Sequence, residues 1–136
     1  MFSPTKFVKN RDEVLKAEEI AAQLLGAEVN PTPKDNRYLD QLRAADLLKD
    51  GQPYAEVKVD WRSAVTDNVV VETGSLFKSS APYVVYVLPC FFMAPRVELL
   101  SETNLWPQTK GGDWNEELRL IKRTDFIKLP FVKRIG

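Results

Sequence analysis

The chain has 136 residues, of which 44% are hydrophobic, and its 19 basic residues balance its 19 acidic ones. The length and apolar content suit a single domain, residues 1–136, and the zero net charge excludes a whole-protein field that would attract nucleic acid. The sequence has no histidine and one cysteine, which excludes histidine-based catalysis, imidazole zinc sites and an internal disulfide.

The first predicted element is a helix over residues 11–25. Asn10 is a suitable N-cap with Glu13 three residues later, and Gly26 is a suitable stop at the other end. Apolar side chains recur at helical spacing and form one stripe, made of Val14, Ala17, Ala21, Leu24 and Leu25. Glu18 lies on the flank of this stripe, where it is either a helix-borne member of a site or a boundary residue beside the core.

A β-hairpin is predicted next, with strands over residues 42–48 and 54–61 around a turn at Asp50-Gly51. Two acidic residues of this region are weak candidates for a site. Asp50 is explained by the turn itself, because Asp-Gly is a favoured turn pair. Asp40 lies farther from the hairpin.

The hairpin carries the residues with the most chemical content. Side chains alternate along a strand, so Glu56 and Lys58 project together while Val57 turns toward the core. Asp46 adds a carboxylate from the first strand. A carboxylate pair beside an ammonium group suits binding of a hard divalent cation and steadying of a phosphate. Phosphodiester cleavage is therefore the leading hypothesis.

This hypothesis makes a geometric demand on the hairpin. Asp46 and Glu56 must share a sheet face, within about 5 Å of each other, if they share an ion. A plain two-residue turn would place Asp46 opposite Ala55, which is on the wrong face. We therefore predict a loop of three or five residues centred on Gly51, or a β-bulge that restores the phase.

The later elements are predicted from shorter patterns. Residues 69–72 form a third strand, and the nearly continuous apolar run at 83–88 indicates a fourth strand buried on both faces. The remaining segments are a loop or short helix at 73–80, a helix at 97–100, a turn-rich stretch at 103–116, and a last strand with a basic tail within 117–129. The predicted class is α/β, with a central mixed β-sheet flanked by helices.

Other features narrow the function further. No glycine-rich phosphate-binding motif is present, so what remains for catalysis is carboxylate, lysine and a metal ion. The longest apolar run, 81–95, is broken by two prolines and is too short to span a bilayer, and no apolar signal region begins the sequence. We expect no membrane partner and a cytoplasmic location. Cys90 is predicted to be a buried small hydrophobe, and the tryptophans are predicted to lie in the core or an interface.

Asp46, nine intervening residues and then Glu56-Val57-Lys58 form a spaced motif in a strand-turn-strand that follows an acidic helix. This motif resembles that of the PD-(D/E)XK nuclease superfamily. The segments after it are similar to small phage-type members, in which a strand ending in Glu and an aromatic-rich strand follow: Asp60, 66–72, 74–75, 79–81 and 83–87. The resemblance covers about residues 10–90, and Ala45 stands where some members have proline.

The resemblance implies a restriction-endonuclease-like core over about residues 10–90, with the C-terminal strand and basic tail at about 117–136 outside it. It also implies a bound Mg²⁺ (or Mn²⁺) held by Asp46, Glu56 and the backbone carbonyl of Val57. Lys58 is expected to orient the attacking water or to stabilise the phosphorane.

Further residues are candidates for supporting roles. Glu18 or Glu72 is expected to assist the metal site, although each is also explained as a residue at the border of the core or at a strand end. The expected DNA contacts are hydroxyl and ammonium groups that position the backbone without reading bases: Lys78, Ser79, Ser80, Lys122 and Arg123. The basic tail is equally well explained as a solvated face.

The predicted function is metal-dependent hydrolysis of phosphodiester bonds by a DNA endonuclease, structure-selective for branched DNA and acting as a homodimer in a bacterial or phage-infected cell. Two alternatives stay open at this point. One is a nucleic-acid-binding or assembly subunit that has this fold but no cleavage of its own. The other is an exonuclease or repair nuclease that works within a larger complex.

Overall fold

The computed structural model of the chain describes residues 4–31, 45–60, 63–88, 90–111 and 116–136. Its helices are α1 (Pro4–Leu25), α2 (Ser63–Thr66), α3 (Thr73–Lys78), α4 (Arg96–Thr103) and α5 (Arg123–Phe126). Its strands are β1 (Glu28–Val29), β2 (Leu47–Lys49), β3 (Gln52–Val59), β4 (Asn68–Glu72), β5 (Tyr83–Val87), β6 (Phe91–Pro95), β7 (Gln108–Gly111), β8 (Glu116–Lys122) and β9 (Lys133–Arg134).

The strands of the described residues form two sheets. The larger one has the order β1-β2-β3-β5-β6-β9, and the smaller one has the order β4-β8-β7. In the larger sheet β3 and β5 run parallel, while the other neighbouring pairs are antiparallel. The chain is therefore a mixed α/β protein with a central mixed sheet and flanking helices, as predicted.

Two apolar clusters cover the two faces of the central sheet. Small side chains of α1 let the helix backbone approach the sheet closely, and they pack on one face in a cluster of Ala17, Ala21, Ala22, Leu47, Ala55, Val57, Val85 and Val87. The other face packs under the smaller sheet, α3, α4 and α5, in a cluster of Val69, Val71, Leu76, Val84, Tyr86, Leu88, Leu99, Trp106 and Phe126.

This arrangement explains the apolar run of β5. Val84 and Tyr86 face the smaller sheet, while Val85 and Val87 face α1, so the strand is buried on both sides. On the neighbouring strand β3, Ala55 and Val57 also face α1. The even-numbered side chains of β3 therefore point to the opposite face, toward the smaller sheet.

Several predicted boundaries need correction. Helix α1 begins at Pro4, so Asn10 lies inside the helix and is not its N-cap. The helix does end before Gly26, whose φ of 64° is the left-handed conformation that glycine adopts without strain. Within the apolar stripe Leu24 is 43% exposed, and Ala22 is buried in its place.

Four strands were not predicted, and one of two predictions on single residues is wrong. Strands β1, β6 and β9 have no predicted counterpart, and β7 lies in the stretch predicted to be rich in turns. Cys90 is half-buried and not a core residue, whereas Trp106 lies in the core as expected. The predicted strand start at 42–44, Asp40, Trp61 and Trp114 lie outside the described residues. No helix in the described part of the chain is long and apolar enough to cross a membrane.

Candidate functional site

The hairpin of β2 and β3 closes through a two-residue turn. Lys49 pairs with Gln52, and the intervening Asp50 and Gly51 have φ values of 54° and 77°. Positive φ at both central residues is the signature of a type I′ turn, which matches the twist of the flanking strands. Asp50 is therefore a turn residue, as the sequence indicated.

A β-bulge follows this turn. Leu48 lies opposite Pro53 but Leu47 lies opposite Ala55, so one extra residue, Tyr54, is inserted into β3. The ring of Tyr54 lies 5.2 Å from the ring of Tyr83. These ring contacts give the extra residue a packed environment, which favours this register over its neighbours.

The bulge decides which side chains meet. Leu47, the first residue of β2, pairs with Ala55, and continuing that register by one residue sets Asp46, which lies just before the strand, opposite Glu56. Residues that face each other in an antiparallel pair project to the same side. Without the bulge, the Asp50-Gly51 turn would place Asp46 opposite Ala55. The predicted bulge is thus confirmed as the device that restores the phase.

Asp46 is fixed against the backbone of the neighbouring strand. Its side chain is 7% exposed, and its Oδ2 accepts a hydrogen bond of 2.8 Å from the backbone N–H of Val57. A carboxylate held by a backbone donor has little freedom to turn away. The Asp46 carboxylate is therefore preorganised beside the peptide group that follows Glu56.

Glu56 lies in an environment that disfavours its charge. Burial, the nearby Asp46 carboxylate and a hydrogen bond to it together raise the pKa of Glu56 from 4.5 to about 7. The Ser79 hydroxyl and the Lys58 ammonium act in the opposite direction. The Asp46 carboxylate lies close enough to Glu56 to repel a second negative charge, which favours the protonated form of Glu56. A bound cation would relieve that repulsion.

Ser79 also forms a hydrogen bond with the Glu56 carboxyl group. Its hydroxyl donates a 2.8 Å hydrogen bond to Glu56 Oε1, and it accepts a 3.1 Å bond from the N–H of Ala81. The sequence pattern predicted Ser79 as a DNA contact and gave no sign of this hydrogen bond, because no local pattern links two residues 23 positions apart. The structure makes Ser79 a residue that positions Glu56.

Lys58 completes the group on this face. It lies two residues beyond Glu56 on β3, is half-buried, and is paired in register with Tyr86 of β5. Its ammonium is close enough to lower the pKa of Glu56. The predicted trio of Asp46, Glu56 and Lys58 is therefore brought together on one face of the hairpin.

Glu18 and Glu72 lie on elements other than the hairpin that carries this trio. Glu18 is 1% exposed and belongs to α1, whose buried side packs on the opposite face of the sheet. Glu72 is exposed at the end of β4, where its charge helps to raise the pKa of the Tyr86 phenol, after the larger effect of burial. Within the described ranges, no three acidic or cysteine side chains come together to hold a metal.

The residues predicted to contact DNA fall into two groups. Lys78, Ser79 and Ser80 precede β5, whereas Arg123 donates a 3.0 Å hydrogen bond to the carbonyl of Leu88, just past the other end of β5. At about 3.3 Å per residue, these groups are roughly 20 Å apart. Arg123 also lies 3.8 Å from Asp67 and ties strand ends together. Lys122, its neighbour, is exposed.

Comparison with protein-family models, with curated proteins and with solved structures finds no match to this chain.

Proposed function

We propose that this protein is a metal-dependent DNA endonuclease of the PD-(D/E)XK type that hydrolyses phosphodiester bonds. The observation that carries the proposal is the bulged hairpin, which puts Asp46 and Glu56 on one face beside Lys58. The central mixed sheet with α1 on one face suits a restriction-endonuclease-like core. DNA as the substrate and a homodimeric assembly are parts of the same proposal.

The donor set suits Mg²⁺ or Mn²⁺. Mg²⁺ in phosphoryl-transfer sites takes one or two protein carboxylates and fills its other positions with water and substrate phosphate oxygens. Asp46 and Glu56 supply two such carboxylates, and the carbonyl of Val57 is the further ligand implied by the motif. Burial and, after it, the Asp46 carboxylate raise the pKa of Glu56, and a divalent cation bound beside the pair would favour its charged form.

Each residue has a distinct task in the proposed reaction. The chemistry that Mg²⁺ supplies when bound is acidification of water and neutralisation of phosphate charge. Asp46 and Glu56 would hold the cation in position, and the hydrogen bond from the Ser79 hydroxyl would keep the Glu56 carboxylate turned toward it. Lys58 orients the attacking water or places positive charge where negative charge grows on the phosphoryl oxygens.

The direct test is a cleavage assay. Purified protein is incubated with branched, duplex and single-stranded DNA in Mg²⁺, Mn²⁺ or EDTA. We expect cleavage with either metal and none in EDTA, with branched DNA cut fastest. Sedimentation of the same sample measures whether the protein is a dimer. Absence of cleavage under every metal condition would contradict the proposal.

A second candidate is a nucleic-acid-binding or assembly subunit that does not cut. It would use the exposed basic side chains Lys78 and Lys122 to contact phosphates without a role for the carboxylate pair. The same assay separates the candidates, because this subunit would shift the mobility of DNA in EDTA and in Mg²⁺ alike without producing fragments.

The Asp46→Asn variant is expected to weaken Mg²⁺ binding by about 10-fold or more, because a neutral amide oxygen replaces an anionic one. The asparagine oxygen can still accept the Val57 N–H, so the fold is kept. Titration calorimetry on the metal measures the effect. Asp50→Asn is the matched control, since it makes the same change at an exposed turn residue. Unchanged affinity in Asp46→Asn would remove Asp46 from the metal site.

The Ser79→Ala variant is expected to weaken Mg²⁺ affinity by about 10-fold, the lower end for a residue that orients a ligand. Loss of the hydroxyl also removes a contact that lowers the pKa of Glu56, so that pKa should rise further above 7. Calorimetry at several pH values measures both effects. Ser80→Ala, at an exposed neighbouring residue, serves as control. If the Ser79→Ala variant loses DNA binding but keeps its metal affinity, Ser79 contacts a DNA phosphate and does not orient Glu56.

A further inference from the structure

A second concave surface lies beside the proposed site. Helices α3 and α4 and strand β8 line an open groove of about 1050 Å³, which we call the α3–α4 groove. Its lining includes Gly74, Phe77 and Lys78 from α3, Asn104 at the end of α4, and Arg119 from β8. Apart from Lys78, which is an expected DNA contact, these side chains have no part in the proposed function.

Phe77 is the unusual residue of this groove. Its side chain is 76% exposed, although it belongs to a helix of six residues that has a buried neighbour to anchor it. That neighbour, Leu76, is 1% exposed and packs in the core under the smaller sheet. Helix α3 is thus anchored in the core by Leu76, while Phe77 presents a large aromatic ring to solvent, where it does not contribute to core packing.

The charges around the groove favour a ligand with a phosphate backbone. Arg119 is compensated, because it forms a 2.7 Å ion pair with Glu117 and donates to the carbonyl of Trp106. Lys78 is exposed and lies next to Phe77. An aromatic face with an adjacent ammonium is the combination that binds single-stranded nucleic acid, through base stacking and phosphate contact.

The groove is coupled rigidly to the proposed catalytic group. Lys78 is followed by Ser79, whose hydroxyl bonds Glu56 at 2.8 Å. Arg96 of α4 donates to the carbonyls of Leu76 and Ala81 at 3.1 and 2.7 Å, which holds the end of α3 and the segment after it in place. The Cα atom of Phe77 lies at most about 7.6 Å from that of Ser79, a distance of one or two nucleotides along a strand.

We infer that the α3–α4 groove binds unpaired nucleotides of the DNA strand next to the scissile bond, with one base stacked on Phe77 and a phosphate at Lys78. A base within a duplex has no free face for a side chain to stack on, so this site selects DNA that contains an unpaired stretch. The choice of DNA as the ligand rests on the proposed nuclease function, and the experiment below measures binding without cleavage.

The test is fluorescence anisotropy in EDTA with a labelled single-stranded oligonucleotide and, in parallel, its duplex. Phe77→Ala is expected to weaken single-strand binding by about 5- to 150-fold, the range that loss of one stacked base produces, and to change duplex binding less than 2-fold. Phe77→Trp should retain binding, whereas Phe77→Leu should lose it as the alanine variant does. Leu105→Ala is the matched control, since Leu105 is 79% exposed and does not line the groove.

A variant that adds a side chain to the groove complements the one that removes the Phe77 ring. A Cβ atom built at Gly74 meets no atom within 4 Å, so a side chain that starts there enters open space and not the core. Gly74→Leu is therefore expected to fill the groove and weaken single-strand binding about as much as Phe77→Ala. Thermal unfolding of each variant checks that the fold is kept.

The outcomes separate this inference from the proposed function. Normal single-strand binding by both Phe77→Ala and Gly74→Leu would overturn the groove, even if the protein cuts DNA. Loss of binding in both variants would support the groove, even if the wild type never cuts. A wild-type dimer that Phe77→Ala converts to monomer with unchanged DNA affinity would also overturn it, since the groove would then be an interface between copies.

Discussion

Replacement of Lys58 by alanine is expected to reduce cleavage by about 100- to 1,000-fold while DNA binding in EDTA changes less than 2-fold. Removal of one preorganised positive group at a developing charge typically costs this much in kcat. The site also loses the ammonium that lowers the pKa of Glu56. Single-turnover cleavage in Mg²⁺, with protein in excess over DNA, measures the chemical step directly.

The controls for Lys58 address its packing. The side chain is half-buried beside Tyr86, so truncation removes apolar stem contacts as well as charge. Lys58→Met keeps the stem and removes the charge, and it should lose as much activity as the alanine variant. Lys133→Ala, on the exposed strand β9, should cut normally. Wild-type rates in Lys58→Met would show that the charge has no part in catalysis.

The hairpin shows how far local patterns in the sequence reach. The Asp-Gly pair predicts the turn at 50–51, and alternation predicts that Glu56 and Lys58 share a face, because both rules act over a few residues. The demand that Asp46 and Glu56 share a face predicts a bulge or a longer loop, but no local rule places the bulge at Tyr54. It depends on the packing of Tyr54 against Tyr83, a residue 29 positions away that reaches it only through the parallel pairing of β3 and β5.

Long-range contacts also account for what the sequence did not reveal about the site. The hydrogen bond from Ser79 to Glu56 and the clamp of Arg96 on the segment after α3 join residues far apart in the chain. Glu18 was placed correctly near the border of an apolar stripe, but its near-complete burial depends on where α1 packs. Helical periodicity gives the direction of a side chain and not what covers it.

The geometry of the site has a cost in stability. Asp46 is held by the Val57 N–H and cannot turn away from Glu56, so the folded protein without metal keeps two carboxyl groups in contact. A binding site for a cation needs this arrangement, whereas a protein selected for stability alone would avoid it. Stability and metal binding should therefore respond in opposite directions when the pair is neutralised.

Replacement of Glu56 by glutamine is expected to stabilise the metal-free protein at pH 8 and to abolish its stabilisation by Mg²⁺. The pKa of Glu56 in the folded state, about 7, lies above its ordinary value of 4.5. The contribution of Glu56 to the free energy of unfolding is therefore fully present below about pH 4.5, and it is lost as the pH rises through 7. The largest loss of unfolding free energy that this pKa shift allows is about 3 kcal/mol. The loss is smaller if water reaches the half-buried carboxyl group.

The measurement is urea unfolding of the wild type and Glu56→Gln at pH 5 and pH 8, in EDTA and in Mg²⁺. The chain has no histidine, so ordinary titrations contribute little between these pH values, and the difference between the two proteins isolates Glu56. In EDTA the wild type should lose stability from pH 5 to pH 8 and the variant should lose much less. In Mg²⁺ at pH 8 the wild type should regain stability and the variant should not. Glu19→Gln, an exposed acid on α1, should behave as the wild type. An equal response to Mg²⁺ in wild type and Glu56→Gln would mean that the cation binds elsewhere, because a site that includes Glu56 cannot gain the same free energy from a neutral ligand.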